Sequence, residues 1–280
     1  MVVDFLPIDG RTVAVNTAGR SHLPTLLMIH GYLSSHHVWR YLVPRLQARF
    51  FCVGVDLIGY GGSDKPDDPE PYRIASQAQT CLRVLEALGR SGQFSVIGHS
   101  MGGKIAMELA SITAPQRVQN LINVAGVVSD GLPLIRDHAL PQIERTYRYP
   151  VLEALLRPFL RAVPSVARYS YGAWFYRPQP FANWRLDREM ASLPNIRFGL
   201  RHSWDAMCED DLTPRLRHIT ARTLTIFGEQ DAVVSVDEGF KVKQALPDST
   251  LMLLPECGHF PMYEVRKPFE QAVLRWLNVG

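Results

Sequence analysis

Three residues of this 280-residue chain have the types and the sequence positions to carry out nucleophilic catalysis: Ser100, Asp231 and His259. Each follows an apolar run short enough to be a buried strand. Phe94–Ile97 passes into Gly98-His99-Ser100-Met101-Gly102, which fits G-x-S-x-G, and Lys104–Ile112 continues at helical spacing. A strand that becomes a helix with almost no loop forces the middle residue into a strained turn, and glycines two positions either side leave room for it. Ser100 then projects above the sheet at a helix N-terminus, where developing negative charge is stabilised. A serine hydroxyl is a poor nucleophile at neutral pH and needs a base within hydrogen-bond reach. His259, in Gly258-His259-Phe260, is the expected base. Asp231, ending Gly228-Glu229-Gln230-Asp231, is the expected acid that fixes the imidazole tautomer. Asp130, just beyond the preceding strand, is the alternative acid.

A tetrahedral intermediate needs two preorganised backbone donors. The Met101 N–H, immediately after the nucleophile, is one; the Tyr32 N–H, in the loop His30-Gly31-Tyr32, is the other. Gly31 permits close backbone approach, and His30 is read as orienting that loop rather than as a second base. Gly98–Lys104 also fits G-x-x-x-x-G-K, but a phosphate-cradling loop requires Ser or Thr next and the chain has Ile105. His22 and His36-His37 lack metal-ligand spacing, so no metal is expected.

The elements that must hold these residues alternate. Val2–Leu6 and Thr12–Asn16 read as strands joined by a turn at Asp9-Gly10, and Thr25–Ile29 as a strand ending at the His30 loop. Val38–Ala48 has helical spacing distorted by Pro44, Phe51–Leu57 reads as a strand, and Ile74–Leu88 as an amphipathic helix stopped by Gly89. Val118–Val124, Arg222–Phe227 and Ser249–Leu254 are further strands, with helices over Ser235–Leu246 and Tyr263–Leu277. Strands alternating with helices predict a parallel α/β sheet with its site at the strands' carboxyl ends.

Between Ser129 and about Leu216 the alternation stops and no convincing strand occurs. Val151–Val163 carries Leu152, Leu155, Leu156, Phe159, Leu160 and Val163 on one helical face, with a kink expected at Pro158. Tyr147 to Trp184 holds ten aromatic residues, and Arg136 to Arg201 holds eleven arginines, no lysine and five acids. This stretch reads as a helical insertion lying over the strand ends, its aromatics mostly core and its arginines a solvated face. Trp174, Phe175, Phe181 and Trp204 are the candidates for a substrate pocket wall.

A net charge of +3 gives no case for nucleic acid. No stretch approaches bilayer-crossing length, so no stable membrane insertion is expected. Cys52, Cys81, Cys208 and Cys257 show neither metal spacing nor disulfide-scaffold density, and a reduced, cytoplasmic protein is the expectation.

Five ordered motifs carry a resemblance. They are His30-Gly31-Tyr32 with Trp39 following, Asp56-Leu57-Ile58-Gly59-Tyr60-Gly61-Gly62-Ser63-Asp64-Lys65-Pro66, Gly98–Gly103, Gly228–Asp231 and Gly258-His259-Phe260. Together they resemble the capped, cofactor-independent α/β-hydrolases, which include esterases, haloalkane dehalogenases, epoxide hydrolases and carbon–carbon bond hydrolases. The resemblance implies a mostly parallel eight-stranded sheet with Thr12–Asn16 antiparallel, flanked by helices. It also implies a hydrolase core over 1–128 and 217–280 and a helical cap over 129–216. Dehalogenases and epoxide hydrolases place Asp where this chain has Ser100, so the resemblance points to acyl transfer on a small-molecule ester. Ring-cleavage carbon–carbon hydrolases often carry Asn before the serine; His99 resembles the esterase pattern. Carbon–carbon hydrolysis, or a non-catalytic receptor or assembly factor keeping the fold, are the alternatives. Acyl length, alcohol and oligomeric state are left open.

Overall fold

A computed structural model describes residues 2–129, 176 and 197–278. Eight strands form one sheet: β1 (Val2–Ile8), β2 (Arg11–Ala18), β3 (Thr25–Ile29), β4 (Phe51–Val55), β5 (Phe94–His99), β6 (Val118–Val124), β7 (Arg222–Gly228) and β8 (Thr250–Leu254). Their order is β1-β2-β4-β3-β5-β6-β7-β8. β2 runs antiparallel to both neighbours, and every other pairing is parallel. The β1–β2 hairpin turns on Asp9 and Gly10 at φ 47° and 76°, the left-handed pair that matches strand twist in a two-residue loop.

Alternate residues of the central strands go to opposite faces. Leu27 and Ile29 of β3 join one apolar layer, and Leu26 and Met28 join the other. That is why these strands are unbroken apolar runs, since a parallel sheet is covered on both sides. The first layer is closed by α2 (Ile74–Ala87) and α3 (Met101–Glu108). In α2 the buried positions recur at three- and four-residue spacing through Ile74, Gln77, Ala78, Cys81, Leu82 and Leu85. Gln77 is tolerated there because its amide closes on the Ile58 backbone, accepting from N–H at 3.2 Å and donating to C=O at 2.9 Å.

The second layer corrects two expected helices. Val38–Ala48 is not continuous: a 3-10 turn spans His36–Trp39 and a separate α1 spans Val43–Leu46. In a single helix the Pro44 ring would strike the carbonyl of Arg40, whereas early in α1 its missing N–H costs nothing. Tyr263–Leu277 is likewise two helices. After α4 (Arg197–Glu209) and α5 (Asp237–Ala245) come α6 (Pro261–Glu264) and α7 (Arg266–Trp276), parted at Val265 with φ −126°. Pro268 cannot donate to the Glu264 carbonyl, so the chain restarts there. The α3 helix also ends earlier than expected, at Glu108, and continues as a π-helical turn over Leu109–Thr113.

Of the stretch from 129 to 216, α4 and part of a 3-10 turn at Thr213–His218 are described, and both are helical. The helix expected over Val151–Val163 lies outside the described residues, as do Asp130, Trp174, Phe175 and Phe181. Among the described residues no helix is long and apolar enough to cross a membrane.

Candidate active site

Ser100 stands between β5 and α3 with φ 54° and ψ −119°, a conformation that non-glycine residues adopt only under constraint. The constraint is backbone crowding. A Cβ on Gly98 would lie 2.0 Å from the Gly102 carbonyl oxygen, and one on Gly102 would lie 2.4 Å from the carbonyl oxygens of Ile29 and His30. The strand, the helix start and the end of β3 therefore meet where only glycine fits. Ser100 is buried apart from a sliver. Its successor Met101 opens α3, in the first turn where amides have no intrahelical acceptor.

The β3 loop reaches this turn directly. A Cβ on Gly31 would fall 3.0 Å from both Ser100 Cβ and the His99 carbonyl oxygen. Tyr32 follows Gly31 directly in this close approach to the Ser100 turn. His30 has the orienting part expected of it. Its Nδ1 lies 2.8 Å from the Gly31 carbonyl and its Nε2 accepts the Leu57 N–H at 3.0 Å. The Nδ1–H tautomer satisfies both partners, and burial pulls the imidazole down to about 4, only partly opposed by the Asp56 carboxylate. The Tyr32 hydroxyl donates to the Leu200 carbonyl at 2.8 Å, and its ring lies 6.1 Å from that of Trp204. Trp204 is buried against this loop, the one pocket candidate of four among the described residues.

Asp231 and His259 are brought together. His259 Nδ1 lies 2.8 Å from Asp231 Oδ2, both side chains buried. The other carboxylate oxygen accepts the N–H groups of Val233 and Val234 at 2.8 and 2.9 Å. A carboxylate can only accept, so the imidazole proton sits on Nδ1 and leaves the Nε2 lone pair free. The two loops are stitched to each other: Gln230 N–H donates to the Cys257 carbonyl at 2.9 Å, and Cys257 N–H to Gln230 Oε1 at 3.0 Å.

Sequence reasoning missed three groups around these residues. His99 Nε2 lies 2.8 Å from the His259 carbonyl oxygen and must donate to it, leaving a buried Nδ1 without a partner. Its ring stands 4.8 Å from that of His259, and burial holds it well below the usual histidine range, with His259 adding to the effect. Lys104, fully buried one turn into α3, donates to the Met207 carbonyl at 3.0 Å and the Ser129 carbonyl at 3.3 Å. Burial lowers its pKa, opposed by the carboxylates of Asp210, Glu238 and Asp211. Glu264, half-buried at the end of α6, accepts three backbone N–H groups. The single cue available for Lys104 was a lysine inside a buried helix; the other two left none.

The chain belongs to the α/β-hydrolase fold family, whose model matches residues 24–264. It is 26% identical to the pimeloyl-acyl-carrier-protein methyl ester esterase of Nitrosomonas europaea over 259 residues, covering 92% of this chain and 96% of that protein. It is 27% identical to a 2-hydroxy-6-oxononadienedioate/2-hydroxy-6-oxononatrienedioate hydrolase of Dechloromonas aromatica over 269 residues, 92% of this chain and 88% of that one. The crystal structure of a hydrolase from Pseudomonas aeruginosa matches with a TM-score of 0.78 at 25% identity, over 98% of both chains.

Proposed function

We propose that this protein is a serine hydrolase that cleaves small-molecule carboxylic esters through an acyl-enzyme intermediate. The observation that carries the reading is the 2.8 Å bond from His259 Nδ1 to Asp231 Oδ2, made beside His99, the residue that precedes the strained Ser100 turn; it supports Nε2 as the atom that accepts the Ser100 proton. In this reading His259 takes the Ser100 proton as the oxygen attacks the ester carbonyl. The oxyanion is held by the N–H groups of Tyr32 and Met101. As the intermediate collapses, His259 passes the proton to the departing alcohol. A water molecule, deprotonated in turn by His259, then attacks the acyl-enzyme, and the acid leaves as His259 returns the proton to Ser100 Oγ. Asp231 keeps the imidazole oriented and stabilises its cationic form.

Residues 129–216 serve as a helical cap in this reading, supplying an apolar wall through Trp204 and, outside the described residues, Trp174, Phe175 and Phe181. None of the four cysteines, all among the described residues, is in a disulfide, and three are buried, which accords with a reducing, cytoplasmic compartment. The name of the Dechloromonas relative supports a second reading, carbon–carbon bond hydrolysis on the same triad. His99 in place of Asn before Ser100 favours the ester.

The test is labelling with a fluorophosphonate, followed by a panel of p-nitrophenyl esters of rising chain length. Wild type labels on Ser100, and Ser100→Ala loses on the order of 10⁴-fold or more in turnover while remaining folded. A Ser100→Ala variant keeping more than a tenth of wild-type turnover would place the nucleophile elsewhere. Wild type that binds small molecules without labelling would be a receptor.

A further inference from the structure

Glu264 has no part in the chemistry above, yet its carboxylate is among the most fully engaged groups around the base. Its Oε1 accepts the Phe260 N–H at 2.9 Å, and its Oε2 accepts the Gly258 N–H at 3.0 Å and the Tyr176 N–H at 2.8 Å. Residues 258 and 260 flank His259, so one side chain grips the backbone on both sides of the base. The third bond comes from Tyr176, far away in sequence and within the stretch that interrupts the α/β alternation. The α6 helix delivers the carboxylate there: Glu264 N–H donates to the Phe260 carbonyl at 2.9 Å while its side chain reaches back to the Phe260 amide, much as in a capping box. The break at Val265 ends α6 at the residue that makes these contacts.

Other groups hold this loop too, among them Gln230, which bonds both the N–H and the carbonyl of Cys257. The imidazole of His259 is fixed at Nδ1 by Asp231, and the His259 carbonyl by His99 Nε2. Glu264 adds a second bond to the His259–Phe260 peptide, at its N–H, and one to the N–H of the Cys257–Gly258 peptide, whose carbonyl accepts from Gln230 N–H at 2.9 Å. Charge-assisted bonds from a carboxylate to backbone N–H groups are about twice as strong as neutral ones. We infer that Glu264 is a positioning residue for the base: it sets the His259 loop by bracketing it, and ties that setting to the backbone of Tyr176.

The inference rests on the reading of His259 as general base. Its test compares Glu264→Ala and Glu264→Gln with wild type by the rate of fluorophosphonate labelling, by kcat and KM on a short p-nitrophenyl ester, and by the downfield proton resonance of His259 Nδ1–H. A displacement of about 1 Å in a catalytic group costs about 10²-fold in rate. Glu264→Ala is expected to lose about 10²-fold in kcat and in labelling rate, with KM within about threefold and a broadened resonance. Glu264→Gln keeps one acceptor oxygen and the side-chain volume, so it should recover about tenfold of that loss. Should the alanine variant fail to fold, the glutamine variant carries the comparison alone. Both variants labelling at the wild-type rate with a sharp resonance would overturn the inference while leaving the serine-hydrolase reading intact, as would a loss confined to KM. Failure of wild type itself to label would overturn that reading, and this inference with it.

Discussion

Replacing Asp231 by asparagine changes one atom and should nearly stop the enzyme. The wild-type carboxylate has two tasks: Oδ1 accepts from Val233 and Val234, and Oδ2 accepts from His259 Nδ1. An asparagine has one acceptor oxygen for both. Turned to keep the two backbone bonds, it presents its NH₂ to His259 Nδ1, and the imidazole must move its proton to Nε2. The base then has no lone pair for the Ser100 proton. Turned the other way, it sets its NH₂ against two buried N–H donors, each left unsatisfied at a cost of about 1–3 kcal/mol. The first orientation is favoured by at least about 2 kcal/mol, so the wrong tautomer dominates. A triad locked in the wrong tautomer loses on the order of 10⁴-fold in kcat. At about 1.4 kcal/mol per decade that is between about 5 and 6 kcal/mol of transition-state stabilisation. Because the shape is unchanged and two of three bonds survive, the melting temperature should hardly move. The assay is kcat on p-nitrophenyl acetate for Asp231→Asn beside Asp130→Asn, with thermal melts of both. Asp130→Asn is expected to stay within about threefold of wild type, as an ordinary substitution away from the triad. Asp231→Asn retaining a tenth of wild-type kcat, or Asp130→Asn proving the more damaging, would refute the assignment of the acid.

Three further outcomes are expected. Gly102→Ala should destabilise by at least about 3 kcal/mol, because its Cβ meets two backbone oxygens at 2.4 Å, while Gly92→Ala, with nothing within 4 Å, stays near wild type in urea midpoint. His30 titrates from 6.5 to about 4 on folding, so the unfolded chain binds more protons between those values. Its contribution is present above pH 6.5 and is lost as pH falls toward 4, up to about 3 kcal/mol, and denaturant midpoints should decline across that window before the carboxylates titrate; a flat profile from pH 7 to 5 would contradict this. Trp204→Ala should cost about 3 kcal/mol and change the ratio of rates on short and long p-nitrophenyl esters by at least about fivefold, whereas an unchanged ratio would make it a core residue alone.

Strand placement was legible because a sheet covered on both faces demands apolar runs, and β3 and β6 match their expected bounds to the residue. The elbow was legible because its glycines answer a local steric need. Helix limits were less so: Pro44 and Pro268 were visible, but periodicity alone joins Val38 to Ala48 and Tyr263 to Leu277 across breaks that those rings impose. Least legible were His99, Lys104 and Glu264, whose partners are backbone atoms. A bond such as that from His99 to the carbonyl of His259, 160 residues away, leaves no spacing to detect. Gln77 is the same case in miniature, a polar residue on an apolar face until its backbone partner is known.

Three of the segments around Ser100, Asp231 and His259 each send one polar side chain across to residues between 129 and 209. Tyr32 donates to Leu200, Lys104 to Ser129 and Met207, and Glu264 accepts from Tyr176. In every case the atom met on the far side belongs to the main chain. Fastening of this kind is blind to side-chain identity, so these bonds do not themselves require the side chains of Leu200, Ser129, Met207 or Tyr176, provided no proline removes the Tyr176 N–H; what restrains change at Leu200, Trp204 and Met207 is their burial. For engineering, the exposed positions Arg201 and Glu209 can be varied while the buried Leu200, Trp204 and Met207 and the fasteners at Tyr32, Lys104 and Glu264 are kept.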